Sequence, residues 1–75
     1  MDSLTQNKID FFVVCVNDFA DAHNLSYVAA FDYLKKYKGM DFLVRHYDIE
    51  HTYPIEETLT NLAQVCRRNG GGIAA

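Results

Sequence analysis

Between Leu4 and His23, apolar residues recur every three or four positions. At about 100° per residue, Ile9, Phe12, Val13, Val16, Phe19, Ala20 and His23 fall on one broad face, with Asn7, Asp10, Asn17, Asp18 and Asp21 opposite, the pattern of an amphipathic helix. Phe11, Cys15 and Ala22 widen the apolar arc along one flank, so this helix is expected to pack on more than one neighbour. Val14 projects among polar residues and is expected to be exposed. Asn24 and Leu25 interrupt the pattern, and Ser26 is placed to cap the free amides of a second helix. In that helix Tyr27, Ala30, Phe31, Leu34 and Tyr37 recur at helical spacing, Lys35, Lys36 and Lys38 load the last turn with positive charge, and Gly39 supplies the stop.

A third helix from Met40 to Ile49 is expected to bury Met40, Leu43, Val44 and Tyr47, with Phe42 pointing away beside Asp41, Arg45 and His46. His51, Thr52 and Tyr53 lead into Pro54, whose fixed φ suits the first turn of a last helix. There Ile55, Leu59, Leu62 and Cys66 form the inner stripe, with Thr58 and Val65 beside it. Glu56 and Glu57 open this helix, Arg67 and Arg68 close it in the order the dipole favours, and Asn69-Gly70 ends it. The pattern predicts an all-α protein, a compact bundle of four helices at about residues 4–23, 27–38, 40–49 and 54–69. Residues 1–70 form its single domain, and a Gly-rich tail, 71–75, is expected to be mobile.

At 49% hydrophobic and 23% charged, the chain has the composition of a folded domain rather than a disordered one. Its 75 residues allow one modest core, so a protein partner or a homodimer is a natural source of added stability. Cys15 and Cys66 lie inside apolar patterns and read as reduced core thiols, with a bridge between them the lesser alternative. Met1 is followed by polar Asp2, Ser3 and Thr5 without a basic region leading into an apolar run, and the longest apolar run, Phe11 to Val16, falls far below the roughly 18 residues a membrane span needs. A cytoplasmic protein with no membrane contact is expected. The net charge of −3 and pI near 5.4 work against binding nucleic acid.

Little in the chain points to catalysis. His46, Asp48, Glu50 and His51 form the densest polar group, but at most His46 and Glu50 would share a helical face, and two ligands do not make a metal site. A solvated helix end is the simpler reading. No cofactor is implied, because Gly70, Gly71 and Gly72 follow a helix instead of preceding one and cannot present a positive dipole end to phosphate. His23, near the end of the first apolar face, reads as a packed or capping residue, and both thiols sit on inward stripes. The five tyrosines and five phenylalanines are mostly explained by core packing. Phe42, Tyr33, Tyr53 and Phe11 fall off or at the margin of the stripes, and aromatics on a rigid scaffold are favoured interface anchors.

Taken in order, Ile9, Phe11, Phe12, Cys15 and Val16, then Leu25-Ser26 with Tyr33-Leu34, the block Gly39 to Thr52 (GMDFLVRHYDIEHT), Ile55 to Thr58 (IEET) and Asn69-Gly70-Gly71 resemble a family of small all-helical bacterial proteins of unknown function. The Gly39 to Thr52 block is the most specific part. Members of that family are commonly encoded beside a second protein that looks like an ADP-ribosyltransferase-fold toxin, so the resemblance implies an antitoxin-like or immunity-like partner role. It supplies no functional residues, and it implies a small polar helix cap where this chain has Pro54.

The residues lead to a non-catalytic protein-binding module, and the resemblance implies an antitoxin-like partner covering the cleft of a neighbouring-gene toxin. Phe42, His46 and Tyr53 are the candidate partner-binding residues, because core packing explains that region least. A helix-turn-helix DNA-binding regulator is the alternative, since helices two and three are joined by a short Gly-containing turn, but Arg45 is the only basic residue of the third helix. A homo-oligomeric structural domain is a further alternative.

Overall fold

The computed structural model describes residues 2–72. Five helices follow one another, α1 (Ser3–Ala22), α2 (Tyr27–Lys36), α3 (Gly39–Arg45), α4 (Tyr47–Glu50) and α5 (Ile55–Arg68), with no strand among the described residues. α1 packs on α2, α2 on α3, and α5 on both α1 and α3. The chain is all-helical, as its periodicity predicts. The predicted third helix, however, comes in two pieces, divided at His46 (φ −113°, ψ 21°). The bend brings Tyr47 against Phe11 and Phe12 of α1, with ring centroids 5.5 and 6.2 Å apart, while Glu50 meets α5.

Helix ends follow local chemistry. Asp2 Oδ1 accepts from the Thr5 amide at 2.8 Å and Ser26 Oγ from the Ala29 amide at 3.1 Å, each satisfying a donor that the helix leaves free. α1 and α5 both close with a left-handed residue and the paired return bonds of a Schellman motif. At α1, Asn24 has φ 58° and the Leu25 amide reaches Ala20 O at 2.8 Å; at α5, Gly70 has φ 98° and the Gly71 amide reaches Cys66 O at 2.8 Å.

The stop after α2 differs from expectation. Lys38 takes the left-handed conformation (φ 73°), and Gly39 is the first residue of α3. Gly39 is needed for space, since a Cβ there would lie 2.7 Å from Leu34 Cδ2 and 3.0 Å from Cys66 Sγ. Pro54 stands one place earlier than predicted, at the N-cap of α5 with no side-chain bond, where the resemblance implied a polar cap.

Cys15, Val16, Phe19, Ala20, Ala30, Leu34, Leu43, Leu62, Ala63 and Cys66 make the core, and both cysteines are free. Several predicted inner residues lie outside it. Ile9 and Val13 are 39% and 47% exposed, while Phe11 and Phe12 between them pack against the core. Tyr27 and Val44 are exposed as well, and Glu50 turns inward in the stripe that Leu43 and Tyr47 begin. Val14 is exposed as expected. Of the marginal aromatics, Phe11 sets its ring edge against Tyr47, and Tyr33 stacks on Phe19 at 5.9 Å.

The expected mobile tail begins at Gly71, which is bonded to Cys66 and so close to Tyr33 Oη that a Cβ would collide. Gly72 follows it at the surface, and the last three residues of that tail, 73–75, lie outside the described residues. No helix among the described residues is long and apolar enough to cross a membrane.

Candidate functional site

His46 sits at the bend between α3 and α4. Its amide donates to Phe42 O at 2.9 Å, and its own carbonyl accepts from the Ile49 and Glu50 amides at 3.1 and 2.8 Å. The i, i+4 spacing sets the imidazole against the Phe42 ring, centroid to centroid 5.0 Å with the planes tilted by 46°. Phe42 does not point away from the protein: it is half-buried against the core, with one side left to the surface.

Tyr53 reaches the same place from the α4–α5 connection. Its amide donates to Glu50 O at 3.1 Å, the Thr52 amide and hydroxyl both donate to Ile49 O, and the Thr58 hydroxyl of α5 donates to Glu50 O at 3.2 Å. These bonds fix the turn and leave Tyr53 41% exposed at its corner. Phe42, His46 and Tyr53 thus line one open depression of about 350 Å³, closed on its far side by Gln64, Val65 and Arg68 of α5. The three residues singled out from sequence are brought together in space. Phe42 and His46 also border a second depression of about 370 Å³ toward Lys38, Asp41 and Arg45, so the tilted pair forms an aromatic ridge between two hollows.

Sequence reasoning missed the floor of the first depression. Glu50, read as part of a solvated helix end, is 4% exposed, and its carboxylate accepts from Asn61 Nδ2 at 3.2 and 3.3 Å. A signal was present in the spacing, since Leu43, Tyr47 and Glu50 recur at four and three residues along one helical face. His51 lies elsewhere, stacked on Tyr47 with rings 4.4 Å apart, its Nδ1 2.6 Å from Tyr47 O and therefore the protonated ring nitrogen. Asp48 is exposed. Among the described residues no three His, Cys, Asp or Glu side chains gather as a metal site would need.

The remaining candidates for chemistry are spent on packing. Burial pushes the Cys15 thiol up to about 12, with smaller contributions from the negative charges of Asp18 and Glu50. Burial likewise raises the Cys66 thiol to about 11, against a lowering by the Gly39 amide. A thiol so held is protonated at neutral pH and is a poor nucleophile. His23 caps the end of α1 with its ring 4.3 Å from Phe19.

No curated protein sequence and no solved structure matches the chain. One family does, described as "Protein of unknown function (DUF3791)" and matched over residues 10–69, a span that contains all five residues from Phe42 to Asn61 discussed at the depression. The chain belongs to this DUF3791 family.

Proposed function

We propose that the chain is a non-catalytic protein-binding module that docks its partner on the surface around Phe42, His46 and Tyr53. The observation that carries this reading is the convergence of those three rings, from two separate segments, on one open depression. Small-molecule sites enclose most of their ligand and are lined mainly by apolar groups. This depression is broad and half polar, with an aromatic ridge, an exposed tyrosine and charged groups at its edge, the make-up of a protein interface. Protonated, buried thiols support a role without turnover.

The partner proposed is the one the family resemblance implies, an ADP-ribosyltransferase-like toxin encoded beside this chain and neutralised by being covered. The DNA-reading alternative has less support: α3 has seven residues, buries Gly39 and Leu43, and carries Arg45 as its one basic group. Co-expression of the chain with the product of the neighbouring gene, followed by affinity purification and size-exclusion chromatography, tests the proposal. Co-elution at a fixed ratio is expected, and separate elution removes the toxin as partner.

A further inference from the structure

We propose that the floor of this depression seats an arginine side chain of the partner protein, an inference that rests on the docking reading and adds the chemistry of what enters. Glu50 is almost wholly buried, and an ionised carboxylate offers about four acceptor positions. The fold supplies its side chain with one donor group, the neutral Asn61 amide, and no Lys, Arg or His among the described residues pairs with it. Buried carboxylates are ordinarily matched by a cation.

The fold does not require that charge. The Glu50 carbonyl, not its side chain, holds the Tyr53 amide and the Thr58 hydroxyl, and a glutamine oxygen would serve Asn61 equally well. The negative charge is therefore left for something that arrives from outside. The walls indicate what. Phe42 and Tyr53 line the same depression, and a guanidinium is the cation that combines a planar face for aromatic stacking with a fork of donors for a carboxylate. A lysine ammonium is compact and strongly hydrated and matches neither wall as well. The chain's own Arg68 lines the same depression, but its Nη2 donates to Gln64 Oε1 at 3.5 Å and makes no ion pair with Glu50.

The test is an NMR titration with N-acetyl-arginine amide, with N-acetyl-citrulline amide as the isosteric neutral probe, on the wild type, Glu50→Gln and Tyr53→Ala. Saturable shifts centred on the Asn61 side-chain amide and Tyr53 are expected, with a dissociation constant on the order of millimolar for so small a probe. Loss of the charge, in Glu50→Gln or in the citrulline probe, is expected to weaken binding about tenfold or more. Shifts that do not saturate, equal binding of citrulline, or unchanged affinity in a folded Glu50→Gln each overturn the proposal. Should Glu50→Gln not fold, Tyr53→Ala decides, since it alters only the rim: weakened arginine binding supports the seat, unchanged binding overturns it. A toxin complex that forms while the capped arginine fails sinks this inference alone, whereas arginine binding without co-elution sinks only the toxin reading.

Discussion

The carboxylate of Glu50 is held by Asn61 Nδ2, 3.2 and 3.3 Å from its two oxygens, joining the end of α4 to the middle of α5 beneath the rings of the candidate surface. The bond has an asymmetry that can be measured. Asn61→Leu leaves a buried carboxylate without its donor and is expected to cost about 1–3 kcal/mol, whereas Glu50→Gln keeps an acceptor for the same amide and is expected to stay within about 1 kcal/mol of wild type. Urea unfolding of the two variants checks both values.

Gly39 and Gly72 separate the demand for space from a general preference for glycine. Gly39→Ala gains helix propensity of about 1 kcal/mol but drives a methyl group into Leu34 and Cys66, and overpacking of this kind costs about 1–3 kcal/mol, so net destabilisation is expected. Nothing lies within 4 Å of a Cβ at Gly72, and Gly72→Ala is expected to melt with the wild type.

The buried thiols give the fold an alkaline limit. Cys15 and Cys66 are raised in the folded chain from an ordinary value of 9.0 to about 12 and about 11, chiefly by burial. A raised folded value means that the stability they contribute is complete below pH 9.0 and is lost as pH rises through the folded values. The melting temperature is expected to fall across that window, and less steeply in Cys15→Ala measured against its own neutral-pH value. At pH 8 a thiol-reactive dye is expected to label neither cysteine until denaturant is added.

The start of α1 gives the acid limit. The Asp2 carboxyl is held below its ordinary value of 3.8, first by the Thr5 amide it accepts from and then by the Thr5 side chain. A lowered value stabilises above the unfolded titration and is lost as pH falls through the folded one. Fraying confined to the first turn is expected below about pH 4, seen as faster exchange of the Thr5 amide, and Asp2→Asn is expected to remove that pH dependence.

Most of the fold was legible because helix positions depend on local signals. Ser26, the lysines of α2, the charge order of α5 and Asn69-Gly70 each act within one turn. What escaped depends on neighbours far away in sequence. An apolar arc states which residues are available for burial, and the placement of the opposing helices decides which of Phe11, Cys15, Ile9 and Val13 are taken. The bend at His46 has neither glycine nor proline to announce it. The Phe42, His46 and Tyr53 surface was legible as residues left over from packing, yet its floor was not. Glu50 is charged, and a charge beside other charges reads as solvated unless its place in the Leu43, Tyr47 stripe outweighs its type.

One titration reaches the proposed docking surface itself: calorimetric binding of the neighbouring-gene protein to the wild type and to His46→Ala and Tyr53→Ala, which remove exposed rings and spare the core. The account predicts a folded pair of variants whose affinity falls at least about tenfold, the loss typical of an interface anchor. Wild-type affinity in both, with the complex intact, would place the partner on another face of the molecule and contradict it.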